Sequence, residues 1–511
     1  VTRNLRSPLS PGWREPVEGI QRSCRKAVTL PTGRLPVLLG RQALPERKIA
    51  GGGSCQKVLS LANCGLDPDS AAILVRDLKC TDRLRQVDLS GNDGLGQEGV
   101  RILVTELFPR ILVLTQLKLC DCGLRTPGVC ALAPGLAKLL QLTDLDLSGN
   151  VGVGSQEGSF ALATAGLSRL TQLRELGLCR CSLGARSLAE LSEANATMGI
   201  TILRLNDNPA LAMREGASAL AGSLLPNLQM LRSLCLGHCN LGGAIQSFAR
   251  GLASLTNLES LDLEGNPNLG RAPLAVVLAE KALPHLPNLR VLGLRYCGLS
   301  CNTFEALGPG LNHTRLLKEL HLGENRGIGS DGEGHFCLEC LHHLRGLRIV
   351  DISFCALKAV HASSLARWLK RLDSLEKLRL DNNPQFLPEG VECIFEGALK
   401  ELRHLQEVDL SNCGIDHEAE EVILPSFPSS CNVKLQIDQV TTQRRRRQAQ
   451  TLDKKALATT FSNSTITRLR LQSAIRKIAE KGKGQHSGPG IIMEDKESSS
   501  ETSSSLSSED D

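Results

Sequence analysis

A chain of 511 residues with one tyrosine, two tryptophans and ten phenylalanines has little bulk aromatic chemistry to offer. Other things are missing too. No apolar run approaches the roughly 18 residues that a membrane-crossing helix needs, and the first thirty residues carry Arg and Pro where an export leader would place its apolar stretch. The chain therefore reads as soluble and not secreted. There is no phosphate-cradling GxxxxGKS/T, no GxSxG nucleophile elbow and no HExxH. Many of the 48 glycines fall in short turns such as Asp93-Gly94-Leu95-Gly96, where they serve backbone geometry rather than nucleotides. No enzyme, cofactor or small-molecule substrate is expected.

Charge is unevenly spread beneath a net of +5. Residues 1–50 hold ten Lys/Arg against three Asp/Glu, residues 441–484 twelve against two, and residues 485–511 one against seven. The body, 51–440, is mildly acidic. Pro8, Pro11, Pro16, Pro31, Pro36 and Pro45 make the first arm irregular. In 441–484, Arg444 to Arg447 precede a stretch where Ile466, Leu471, Ile475 and Ile478 alternate with Arg468, Arg470, Arg476 and Lys477. That pattern predicts a short basic amphipathic helix, suited to import receptors, acidic partners or anionic lipid. The Ser-rich acidic segment 485–511 cannot bury a core and is expected to be disordered. Ser498, Ser507 and Ser508 precede acids and suit acid-directed phosphorylation, which would let this end compete for the Arg run. Basic arms without interleaved aromatics support only non-specific, salt-sensitive contact with nucleic acid.

What is present in abundance is a period. LxxLxLxx followed by Asn or Cys recurs through the body, as in Leu84-Val87-Leu89-Asn92 and Leu114-Leu117-Leu119-Cys122. The ninth position alternates strictly: Cys64, Asn92, Cys122, Asn150, Cys181, Asn208, Cys239, Asn266, Cys297, Asn325, Cys355, Asn383, Cys413. Steps from Cys to Asn are 27 or 28 residues and steps from Asn to Cys 30 or 31, so the unit is a pair of repeats. Leu at alternate positions marks a short strand with one buried face. About ten residues later comes a helical pattern, Gln97 to Phe108, closed by Pro109. Strand then helix, repeated, gives a parallel sheet backed by helices. Helices are wider than the ~4.8 Å strand spacing, so the stack must curve with its strands inside. The expected fold is an α/β right-handed solenoid, a horseshoe of about thirteen repeats, with the parallel sheet concave and the helices convex. Each ladder Asn should turn inward and satisfy turn backbone groups, with Cys a weaker substitute.

The alternating Cys and Asn repeats resemble the leucine-rich repeats of the ribonuclease-inhibitor-like class over about residues 55–435. The resemblance implies the horseshoe and a role in holding a protein partner. The inhibitor itself captures basic enzymes on an acidic, aromatic-rich surface; this body is only mildly acidic and nearly lacks Tyr and Trp, so inhibition of ribonucleases is not expected. Two further readings come from the class. One is a GTPase regulator like the Ran GTPase activator, opposed by the strict alternation and the short acidic segment. The other is the ligand-sensing repeat region of a nucleotide-binding immune receptor, which would need a longer parent chain upstream of Val1.

Of nineteen cysteines, successive ladder members stand two strand spacings apart, about 9–10 Å, beyond the ~7 Å at which two Cα atoms can be bridged. Free thiols are expected, and with them a reducing compartment, cytoplasmic or also nuclear. His335, Cys337, Cys340, His342 and His343 have a zinc-like spacing. Leu338, Leu341, Leu344 and Leu347 run through them at helical spacing, and no second CxxC accompanies them, so no metal is expected.

The residue before the ladder position in alternate repeats reads Arg180, His238, Tyr296, Phe354, with Arg295, His321, Asp351 and Arg379 at nearby strand positions. Hot spots of binding favour Tyr, Trp and Arg, and a rigid sheet loses little entropy on docking. These eight are the candidate partner-binding residues, the alternative being that Tyr296 and Phe354 merely cover strand ends. Asp88, Lys118, Asp146 and Arg204 mix signs along one strand position, so the face is no single-sign funnel. The expected function is a non-enzymatic intracellular protein–protein interaction scaffold.

Overall fold

A computed structural model describes residues 57–435, apart from 79–80, 195–198, 243–244, 331–336, 338–340, 342 and 428–430. Strands of three residues occur once per repeat. The first seven are β1 Val58–Ser60, β2 Gln86–Asp88, β3 Gln116–Lys118, β4 Asp144–Asp146, β5 Glu175–Gly177, β6 Ile202–Arg204 and β7 Ser233–Cys235. The rest are β8 Ser260–Asp262, β9 Val291–Gly293, β10 Glu319–His321, β11 Ile349–Asp351, β12 Lys377–Arg379, β13 Glu407–Asp409 and β14 Asn432–Lys434. They form a 14-stranded sheet in strict chain order, each pair parallel and in register, Leu145 opposite Leu176 and Leu320 opposite Val350. The last strand extends the expected count and pairs with β13.

The middle residue of every strand from β1 to β13 is buried while its two neighbours face the opposite side, because side chains alternate along a strand. Leu114, Leu117 and Leu119 are fully buried, as are their counterparts Leu142, Leu145 and Leu147. Each such side chain stabilises the stack by about 1.5–3 kcal/mol relative to exposure. Trp368 is buried in the helical layer.

The alternating repeat length has a structural cause. Where one helix was expected over Gln97 to Phe108, the chain forms helix Gly96–Ile102, a wide π-turn Leu103–Leu107 and a 3-10 turn Phe108–Arg110. The pattern returns in Gln156–Ala161 with Leu162–Leu167 and in Arg214–Ala219 with Leu220–Leu224. The longer repeats also carry a 3-10 turn directly after the ladder Asn, as in Val151–Gly154, Pro209–Ala212 and Pro267–Gly270. Insertions of this kind add residues without adding a strand.

The described cysteines form no disulfide with one another. Cys337 is buried; His335, Cys340 and His342 lie outside the described residues, and among those described no group of three metal-binding side chains occurs. No described helix is long and apolar enough to cross a membrane. The arms 1–50 and 441–511, with Ser498, Ser507 and Ser508, lie outside the described residues.

Candidate partner-binding face

The ladder sets the geometry of the concave face. Asn208 accepts hydrogen bonds at Oδ1 from the backbone N–H groups of Cys181 and Leu183, both at 3.0 Å. Its Nδ2 donates to the carbonyls of Leu178 at 2.9 Å and Leu205 at 2.8 Å. Asn150 and Asn325 repeat the four bonds. A ladder Cys makes one comparable link, the Cys239 thiol donating to Leu205 O at 3.3 Å. In the 3-10 turn before it the Leu211 N–H donates to Asn208 O. The thiol's pKa is pushed up to about 12 by burial, which keeps it protonated and a donor.

To point the ladder side chain inward, the residue before it turns left-handed. Arg180, His238, Tyr296 and Phe354 hold φ of 53°, 55°, 48° and 52°. In the same column stand Gly91, Gly149 and Gly265, and Asn63, Asn382 and Asn412, all with positive φ. Glycine and asparagine suit this conformation, whereas other residues bear a cost of about 1–2 kcal/mol. Tyr296 is nonetheless 51% exposed, so burial does not offset the strain there. His238 is exposed and Phe354 half-buried. His238 reaches over Gly265, where an added Cβ would stand 2.2 Å from its Nδ1. Arg180, also exposed, donates from Nη2 to Asp121 at 2.9 Å.

The other candidates divide differently. Arg295 is buried and its guanidinium reaches across the neighbouring strand, donating to Asp351 Oδ2 at 2.5 Å and Glu324 Oε1 at 2.6 Å, with Glu264 at 3.7 Å. Gly323 leaves the path open: a Cβ there would stand 2.9 Å from Arg295 Nη1. Burial opposes the guanidinium's charge, and the carboxylates of Asp351, Glu264 and Glu324 outweigh it, raising its pKa. Asp351 and His321 are buried too; Arg379, half-buried, faces Asp381 at 3.4 Å and Asp409 at 3.7 Å. Arg295, His321 and Asp351 thus brace the face from within, while Arg180, His238 and Tyr296 are the candidates that reach solvent. Burial also holds the carboxyls of Asp262 and Glu264 above their ordinary range, Glu264 being raised further by Asp262. Toward the strand N-termini, Ile202, Arg232, Ser233, Glu259, Ser260 and Arg290 line a solvent-open hollow.

The family model "Leucine Rich repeat" matches residues 401–418. Ribonuclease inhibitor of Mus musculus is 27% identical over 372 residues, which cover 70% of this chain and 77% of the relative. That of Sus scrofa is 28% identical over 327 residues, 64% and 70%. The chain has the leucine-rich-repeat fold and is similar to ribonuclease inhibitor. It is also similar to NACHT, LRR and PYD domains-containing protein 12 of Homo sapiens, 29% identical over 313 residues, with 60% of this chain and 28% of the relative covered. Among solved structures, the Rad7 and Elc1 complex of yeast aligns with a TM-score of 0.44 and 16% identity, covering 74% of this chain and 81% of that one.

Sequence reasoning missed three parts of this leucine-rich-repeat face: Glu264 and Glu324, which hold Arg295, and Gly323, which lets it through. The available signal was opposite charge at matching offsets of neighbouring repeats.

Proposed function

We propose that this protein is a non-enzymatic scaffold that holds a protein partner against the concave sheet, with Arg180, His238, Tyr296 and Phe354 as the contacting column. The observation that carries the reading is Tyr296, an exposed aromatic kept in a left-handed turn, in a column where six members are glycine or asparagine and where Asp121, Asp207 and Glu324 share the conformation. Backbone strain at an exposed residue points to a role outside folding. A solenoid adds to this a preformed, extended surface. Arg295, Asp351, His321 and Arg379 serve the site by holding the strand ends in place. The partner class of ribonuclease inhibitor is not carried over, since one exposed tyrosine and alternating charges make a different surface. Reducing compartments, cytoplasm or nucleus, suit the free thiols.

Photocrosslinking tests the face directly. A benzophenone amino acid replacing Tyr296 should label specific proteins in cell lysate, whereas the same group at Phe160, 54% exposed on helix Gln156–Ala161, should not. Equal labelling from both positions, or labelling from Phe160 alone, would move the interface off the concave side.

A further inference from the structure

The column has a spacing of its own. Arg180, His238, Tyr296 and Phe354 follow β5, β7, β9 and β11, so consecutive members stand two strands apart, about 9.6 Å. A partner that meets each of them in the same way must repeat at that distance. Side chains on one face of an extended strand repeat at about 6.7 Å, and two turns of an α-helix rise about 10.8 Å. A polyproline II helix, with three residues per turn and 3.1 Å per residue, repeats at about 9.3 Å. Over the three intervals from Arg180 to Phe354 the helix overshoots by about 4 Å and the strand fails to present a side chain at each interval, while polyproline II falls short by about 1 Å.

The surroundings suit the same occupant. Proline-rich segments dock between aromatic side chains and arrive already ordered. Tyr296 is exposed, the His238 imidazole reaches over Gly265 in the repeat between the two, and Phe354 follows in the column. Charge is also directional. On and just after β8 to β12, Asp262, Glu264, Glu324, Asp351 and Asp381 stand among Arg295, Lys377 and Arg379, with His321 beside them. Glu264 and Glu324, with side chains 35% and 41% exposed, flank the Tyr296 repeat on either side. A basic residue on the partner would meet them.

We infer that the column binds a proline-rich segment in the polyproline II conformation, laid across the strands with proline at every third residue and a basic residue against Glu264 and Glu324. This rests on the scaffold reading above and names its partner class. The test uses the full chain and two fluorescein-labelled peptides of equal composition, each ending in two arginines, one with proline at every third position and the other at every fourth. The three-spaced peptide should bind saturably and at least ten-fold more tightly than the four-spaced one, weaken as salt is added, and lose at least ten-fold in affinity to Tyr296→Gly protein that melts no lower than wild type. Equal affinity for the two peptides, no binding of either, or unchanged binding by the Tyr296→Gly protein would overturn the inference. In those cases, specific labelling from position 296 would leave the scaffold standing with another class of partner; its absence would remove both.

Discussion

At the scale of the residue, the ladder shows how one position can dictate chemistry. A ladder Asn is both acceptor and donor for four backbone groups, whereas a ladder Cys contributes a thiol donor to a carbonyl that other groups also reach. Asn208→Ala would leave the N–H groups of Cys181 and Leu183 and the Leu178 carbonyl without this partner, the Leu205 carbonyl keeping the Cys239 thiol, at about 1–3 kcal/mol for each group that water cannot reach. We expect a loss of about 3–4 kcal/mol, against about 1 kcal/mol for Cys239→Ala. Denaturant unfolding followed by circular dichroism would show it; equal losses would mean that the Asn clip is not what joins the repeats. The ladder was legible in the sequence because its alternation is strict. The left-handed turn before it was not read, although Gly91, Gly149, Gly265 and three asparagines in the same column were its signal. Large residues at four places hid the conformational pattern behind a compositional one.

At the scale of the element, short parallel strands force like charges together. Asp144 on β4 is raised to about 6, by burial first and then by Glu175 on β5, with Lys118 and Arg204 opposing. An unfolded aspartate titrates near 3.9. Between about pH 4 and pH 6 the folded state therefore keeps a proton that the unfolded state has released, and stability falls as pH rises through this window. Stability credited to the protonated group is full below about pH 4 and gone above about pH 6. Asp144→Asn should then be more stable than wild type near pH 8, by about 1 kcal/mol after solvent screening, and indistinguishable from it near pH 3.5. A difference that does not change with pH would contradict the assignment. Sequence reading found the strands and the helical layer. It did not find the π-turns of the longer repeats, whose buried Leu, Val and Ala continue the helical pattern before them, nor the Arg295–Asp351 pair, which spans 56 residues and depends on an open path over Gly323.

At the scale of the molecule, a solenoid separates stability from recognition. The Leu layers, Asn clips and braced charges hold neighbouring repeats together, and energy is exchanged mainly between neighbours. On the proposed reading the column projects from this frame, so its residues can be changed without dismantling the stack. The horseshoe fold was readable from the period alone; the proposed column was readable only as a list of large residues, because which of them reach solvent depends on the reach and burial of their neighbours. The most direct measurement is a double variant, His238→Gly with Tyr296→Gly, compared with wild type in thermal unfolding and in the set of proteins captured from lysate. Relief of two left-handed non-glycine residues should leave the melting temperature unchanged or raise the stability by up to about 1 kcal/mol per site, while the specific partners are lost. A variant that melts lower and keeps the same partners would show that the column serves the fold and that recognition lies elsewhere.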